Sequence, residues 1–463
     1  MSVFQKHTLP DWIREVNPQY FCLAAALGME FLLMALRGYG FYFLENYMIV
    51  PTMLFLGMAF GRTPGTSGRR QLILSLIAVF WFFVAQTLHY AMDMEVRSVG
   101  LFTSVYLLAF LFAPFAGDGQ KKWGLKLAAA ACIGASLVLV VFTGLLTLDL
   151  LPGFLQPHVY WDGARLQAMW HPNICAIILM MGMAFCLVLF SESKRKWCKG
   201  VFLAGAVVFF FVMALTNSRT SIIMASCIIG GYLFFCIYNG SWKRFIAGAV
   251  AAAAVILLLF STASFIFQAH NDALIAKYVR QAEETAAQTD ADSASAEAPS
   301  KFYTDYSGNL VLVTDAGQAP LAQNMSTLNG RTGIWKTAFR ILQETPSVLL
   351  LGTDYSEAVF IANHNFAAAH AHNAWIETLM CLGIPGLLLA LVFTGLAAWH
   401  IWVTFWGRTT LGQKTVAMLV LVLMGAGILE PYLFFTDIFY HYTDFIFFLC
   451  LGYLVHWRSD MQK

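Results

Sequence analysis

Apolar runs alternate with polar connections along the whole chain, near residues 20–36, 41–60, 71–91, 99–116, 125–148, 172–190, 200–216, 218–237, 243–268, 374–403, 412–430 and 436–456. A helix rises about 1.5 Å per residue, so about 20 apolar residues cross a hydrocarbon core roughly 30 Å thick. Each run therefore predicts a membrane-spanning helix, about twelve in all. One connection stands apart. Residues 269–373 form a long polar stretch that divides the chain into spans one to nine (1–268), a large loop (269–373) and spans ten to twelve (374–463). Residues 1–19 are too polar to supply the apolar core of a signal peptide, and no small-residue cleavage site follows the first run. Pro10, Trp12 and Pro18 suggest an interfacial lead-in helix.

The loop is heterogeneous. Residues 281–301 are mostly Ala, Glu, Thr, Ser and Asp, with too little apolar mass to offset ordering entropy, and are expected to be mobile. Residues 302–313 alternate through Tyr303, Tyr306 and the run Leu310 to Val313 around Ser307-Gly308-Asn309, which suggests a small hairpin. Ser326 and Asn329 offer cap groups ahead of Ile334, Trp335, Ala338, Phe339, Ile341 and Leu342, whose spacing predicts an amphipathic helix on the membrane surface or the bundle mouth.

Composition fixes the class. Hydrophobic residues make up 59% and charged residues 12% of the 463 positions, with a mean hydropathy of +0.66. A soluble domain carries about 25% charged residues. The expectation is an all-α polytopic membrane protein with about twelve transmembrane helices and one large extracytoplasmic loop, and with no nucleic-acid partner. Basic residues set the orientation. Arg62, Arg69 and Arg70, then Lys121, Lys122 and Lys126, then Lys194, Arg195, Lys196 and Lys199, then Lys243 with Arg244 and Arg408 with Lys414, all fall on alternate connections. Together with Lys6, Arg14, Arg458 and Lys463 they place 18 of the 28 basic residues on one side, which predicts both termini in the cytoplasm and the 269–373 loop outside. None of the nine cysteines falls in that loop and no CxxC occurs, so neither a disulfide framework nor a zinc ribbon is supported.

Ionisable residues inside spans are costly, about 3 kcal/mol for a central charge on insertion scales, and they mark sites. With this orientation Glu30, Glu45, His89, Asp93, Asp149, Arg219, Glu377, Glu430, Asp437 and His441 lie in the outer half of a span or at its outer end, and only His400 and His456 lie low. Asp437, His441 and Asp444 share the spacing of one helix face. A proton-coupled transporter would carry such groups through the midplane, so the asymmetry favours an outward reaction chamber. The densest cluster is His370-Ala371-His372-Asn373-Ala374-Trp375-Ile376-Glu377, where the loop meets the tenth span. His372 or Asn373 also suits a helix cap.

Arginines form a second signal. Arg165, Arg219 and Arg331 are outward, and a guanidinium presents a planar fork of donors that grips phosphate and keeps its charge. Three would neutralise a pyrophosphate without a metal, although any one of them also suits a structural pairing with a carboxylate or snorkelling to headgroups. The outer carboxylates Asp93 with Glu95 and Asp290 with Asp292, and the imidazoles His364, His370 and His372, lack the fixed clustering that a metal site needs. No metal and no cofactor are expected.

Several segments, in order, carry a family resemblance. They are Trp170-His171-Pro172-Asn173, Asn217-Ser218-Arg219-Thr220, Gly330-Arg331-Thr332-Gly333-Ile334-Trp335, Leu351-Gly352-Thr353, and His372-Asn373 followed by Gly383-Ile384-Pro385-Gly386. The ordered set resembles the O-antigen ligase and polymerase superfamily over about 160–390, and the dozen spans with one large outer loop agree with it. The resemblance implies a GT-C-like membrane glycosyltransferase of the bacterial cytoplasmic (inner) membrane. Such an enzyme moves a glycan from an undecaprenyl-diphosphate carrier to a glycan or glycolipid acceptor on the outer face, among membrane lipids, without metal or nucleotide sugar. By the same comparison His372 corresponds to the loop histidine of the family, and Arg219 and Arg331 to its arginines.

The chemistry is consistent with these side chains. Cleaving an anomeric C–O bond leaves charge on diphosphate oxygens, which preorganised cations stabilise. Arg219 and Arg331 suit that role with Arg165 assisting, while a neutral imidazole suits removal of the acceptor proton, His372 first and His370 second. Asn373, Glu377, Asp437 and His441 complete the expected substrate-binding set. A ligase and a polymerase joining carrier-linked repeats share these motifs, and ligase is placed first. A polysaccharide or lipid transporter is the rival of a different class, and it would predict internal repeats that the two halves of the chain do not display.

Overall fold

The computed structural model describes residues 18–36, 47, 49–59, 66–91, 99–116, 121–156, 159–162, 164–168, 171–289, 301–304, 310–313, 331–344, 346–352, 371–430, 433–434 and 441–461. Fourteen helices appear among them: α1 (Pro18–Leu36), α2 (Ile49–Ala59), α3 (Thr66–Ala91), α4 (Val99–Phe115), α5 (Lys121–Thr147), α6 (Pro172–Glu192), α7 (Lys196–Leu215), α8 (Arg219–Ile237), α9 (Trp242–Thr289), α10 (Arg331–Glu344), α11 (Pro346–Leu351), α12 (Ala374–Trp406), α13 (Leu411–Gly427) and α14 (His441–Met461). Two antiparallel hairpins interrupt them, β1 (Val159–Asp162) with β2 (Arg165–Ala168), and β3 (Lys301–Thr304) with β4 (Leu310–Val313).

Each apolar run overlaps a described helix, the 41–60 run only over 49–59 and the 436–456 run only from 441, and among the described residues seven helices are long and apolar enough to cross a membrane. Four shorter apolar helices accompany them. The protein is thus helical and polytopic. Its exposed side chains suit lipid: Phe80, Phe83, Leu257, Leu258 and Phe265 all point outward from α3 and α9. Between helices in lipid there is no hydrophobic drive, so association rests on close packing and polar bridges.

The hairpin expected over 302–313 is present, with Phe302 opposite Leu312 and Tyr303 opposite Val311. The amphipathic helix is α10, which buries Ile334, Thr337, Ala338, Ile341 and Leu342 at helical spacing and leaves Phe339 exposed. Two features differ from the sequence reading. The ninth helix does not stop near 268 but continues to Thr289, because the Ala, Glu and Gln that make 281–289 poor in apolar mass are also strong helix formers. The β1–β2 hairpin falls where no alternation announced it.

The chain folds as two compact units. The first comprises residues 1–131, 340–407 and 430–463. Its core is aromatic: Tyr106 and Phe110 of α4, Phe393 of α12 and Phe448 of α14 meet edge to face with ring centroids 4.9–6.2 Å apart. Such pairs add about 0.5–1.5 kcal/mol each beyond burial. A partly open apolar cavity lies beside this cluster, bordered by Trp81, Phe82, Thr378, Leu382 and Phe434.

The second unit comprises residues 132–339 and 408–429. Its centre is α6, whose residues are almost all buried. Pro172 at the first helical position and the His171 imidazole, whose Nδ1 accepts from Asn173 N at 3.2 Å, start this helix cleanly. Ser136 Oγ of α5 donates to the Ile178 carbonyl of α6 at 3.1 Å, and Thr410 with Gln413 forms a capping box that begins α13.

Candidate functional site

In the first unit the loop entering α12 is held from several directions. Asn373 is the N-cap: its side-chain oxygen accepts from Trp375 N and Ile376 N, each at 3.0 Å. The residue before it, His372, has φ +50°, a left-handed backbone that a side-chain-bearing residue adopts at a cost. Fully buried Glu377, one turn into the helix, accepts from Ala371 N at 2.6 Å and so clamps the chain just ahead of that turn. The strained histidine therefore sits between two fixed residues.

The imidazole itself is engaged. His372 Nδ1 lies 3.1 Å from Glu430 Oε2, with the His372 side chain 30% exposed and that of Glu430 3%. With Glu430 ionised the carboxylate can only accept, which would put the hydrogen on Nδ1 and make Nε2 the basic nitrogen. This is the arrangement that fixes a histidine tautomer for proton transfer. Sequence reasoning placed Glu430 among the outer ionisable groups but not beside His372, since 58 residues separate them and no spacing rule links them.

Below this turn α12 is kinked. Gly383 has φ 66° and ψ −169°, and Pro385 follows. A Cβ on Gly383 would sit 2.3 Å from Leu350 O, and one on Gly352, at φ 86°, would sit 2.3 Å from Cys381 O. Two motifs 31 residues apart, Leu351-Gly352 and Gly383-Ile384-Pro385-Gly386, thus meet backbone to backbone. Helix α3 fastens both: Trp81 Nε1 donates to Leu382 O at 2.9 Å, and His89 Nε2 lies 3.0 Å from Leu351 O. These two side chains had no assigned role in the sequence reading.

Asp444, expected on a face with Asp437 and His441, is buried and accepts from Phe434 N at 2.9 Å, while the Phe434 ring meets Trp375 at 5.8 Å. Asp437, His370 and the side chain of His441 lie outside the described residues. All four buried carboxylates among the described residues, Glu30, Glu377, Glu430 and Asp444, belong to the first unit.

The arginines belong to the second unit. Arg165, on β2, donates from Nε to the Thr216 carbonyl at 2.9 Å and from a terminal nitrogen to Asn173 Oδ1 at 3.4 Å. It therefore ties the His171-Pro172-Asn173 segment to Thr216-Asn217-Ser218, and its fork is partly committed to the fold. Thr216 Oγ1 accepts from Ser218 N at 3.2 Å across the left-handed Asn217, and Ser218 reaches Ser221 at 3.2 Å. That turn delivers Arg219, exposed, as the first residue of α8. Arg331, half-buried, is likewise the first residue of α10. Helix N-termini carry partial positive charge and unpaired N–H groups, so an arginine there reinforces an anion-seeking position. Among the described residues no group of three or more His, Cys, Asp or Glu side chains is placed to hold a metal ion.

The described residues thus hold an imidazole–carboxylate pair at the head of one apolar helix and arginines opening two others, in a polytopic helical protein. Residues 204–391 match the family model described as O-Antigen ligase, a range that includes Arg219, Arg331 and His372. Over that stretch, about two fifths of the chain, the protein is similar to O-antigen ligases, and its apolar helices are those of a multi-pass membrane protein. No match is found among curated proteins.

Proposed function

We propose that the protein transfers a glycan from an undecaprenyl-diphosphate carrier to an acceptor hydroxyl on the outer face of the cytoplasmic membrane, ligation of a finished chain being the first reading. His372 accepts the proton of the acceptor hydroxyl. Arg219 and Arg331 hold the diphosphate, whose charge grows as the anomeric bond breaks. The observation that carries this reading is the His372–Glu430 pair at 3.1 Å, at the mouth of α12 and within the matched family segment for its histidine. A base held in one tautomer with a partly exposed ring suits removal of a hydroxyl proton, which contributes typically 10²- to 10⁴-fold in rate. Guanidinium groups at helix N-termini stabilise a diphosphate leaving group without a metal. Membrane location, both termini in the cytoplasm and an outward site are the topology this reading requires. Asn373 keeps His372 in register, and His370, Asp437 and His441 remain the proposed sugar-side contacts.

The test is transfer by purified protein in lipid nanodiscs, given a defined diphospholipid-linked glycan and candidate acceptors. His372→Ala is expected to abolish transfer while leaving thermal unfolding near that of the wild type, since the ring is only partly buried. Wild-type turnover in that variant would refute His372 as the base. An acceptor that is itself carrier-linked, used in preference to a lipid-anchored core, would turn the assignment to a polymerase.

A further inference from the structure

We infer that Glu430 is the positioning residue of the His372 base, a role that rests on the function proposed above. The backbone of the His372 turn is already fixed without it. Ala371 N is held by Glu377 at 2.6 Å, and Asn373 caps α12 at 3.0 Å. What the Glu430 contact adds is control of the ring. Its carboxylate is shut off from solvent, with 3% of the side chain exposed, whereas the imidazole it holds is 30% exposed. One edge of the ring is thus anchored in the protein and the ring remains reachable.

The chemistry follows from that asymmetry. In the transfer, the acceptor O–H bond breaks and its proton moves to His372 Nε2. The oxygen electron pair forms the new bond to the anomeric carbon, while the bond from that carbon to the diphosphate oxygen breaks and its pair stays on the diphosphate. The imidazolium so formed sits against the ionised Glu430, where the low dielectric strengthens their attraction. The proton then passes to water and the neutral ring is restored. Shut off from solvent, Glu430 acts in this role through the ring rather than on sugar or diphosphate. It acts by keeping Nδ1 protonated and by stabilising the charge that appears on the ring.

Glu430→Gln separates these functions from packing, because it preserves length and an accepting oxygen but removes the charge. It is expected to lower kcat by about 10- to 100-fold, the scale on which orienting partners act, with KM for donor and acceptor unchanged. Glu430→Asp, which keeps the charge on a shorter arm, should recover part of the loss. In 15N-histidine spectra, the signal that disappears in His372→Ala should report a bare Nε2 in the wild type and a tautomer mixture in Glu430→Gln. Wild-type kcat in Glu430→Gln, a loss expressed through KM alone, or failure of both variants to fold would overturn the proposal, the last by making Glu430 scaffold. Activity surviving in His372→Ala would instead bring down the reading of the base itself. A dead His372→Ala beside an unaffected Glu430→Gln would bring down only the positioning role.

Discussion

Replacing Gly383 by alanine probes whether the kink in α12 is built into the site. At φ 66° and ψ −169° this residue occupies a region that is essentially restricted to glycine. Holding an alanine there costs about 1–3 kcal/mol in backbone strain. The added methyl would also meet Leu350 O at 2.3 Å, an atom of the main chain that cannot rotate away. Forcing apart two packed backbones costs about a further 1–3 kcal/mol, so the total is about 2–6 kcal/mol. The strain has two outlets: straightening of α12, which removes Leu382 O from Trp81, or displacement of α11, which removes Leu351 O from His89. Gly395, in the same helix, supplies the control, because a Cβ there meets nothing within 4 Å. Thermal unfolding of purified variants in lipid, followed by intrinsic fluorescence and paired with the transfer assay, reads both. Gly383→Ala should melt well below wild type and lose transfer, while Gly395→Ala should match wild type or exceed it by up to about 1 kcal/mol through helix propensity. A Gly383→Ala protein as stable and as active as the wild type would refute the close backbone approach.

Further tests address the anion side of the reaction. Arg219→Lys and Arg331→Lys should each be severely impaired, since an ammonium cannot reproduce a two-pronged grip on phosphate; free substitution at both in the transfer assay would mean that neither holds the diphosphate. Activity should survive exhaustive EDTA treatment, the guanidinium groups carrying the charge that a cation would otherwise neutralise, and loss on chelation with recovery on added magnesium or manganese would contradict this.

Helix positions were legible because run length alone answers whether a segment crosses hydrocarbon. The β3–β4 hairpin was legible through Ser307-Gly308-Asn309, a turn signal between alternating residues. The far end of α9 was not, because low apolar content predicts disorder and high Ala and Glu content predicts helix, and only the second operates over 281–289. The β1–β2 hairpin has strands of four residues, too short to show a period, and its support is tertiary: the Cys175 sulfur contacts the Ala168 backbone and Arg165 crosses to Thr216. The site divides in the same way. His372, Asn373 and Glu377 stood out as a cluster within one turn of sequence. What supports them did not, since Glu430 lies 58 positions from His372, Trp81 lies 301 from the Leu382 carbonyl it meets and His89 lies 262 from that of Leu351. Arg165, expected either to assist at the diphosphate or to serve a structural pairing, spends Nε on the Thr216 carbonyl and one terminal nitrogen on Asn173, contacts that no sequence spacing announces.

The length of α9 sets a height. Its 48 residues extend for about 72 Å, against a hydrocarbon core of roughly 30 Å. A rod of that size, standing in a bilayer, rises as much as about 40 Å out of the oily layer before the chain leaves it at Thr289. The Lys277–Asp149 ion pair at 2.8 Å links its upper part to the turn after α5. On the orientation proposed above, Thr289, the last described residue of α9, would stand clear of the headgroups on the side of the glycan, so this mast is a place to look for contacts with the polymer remote from its reducing end.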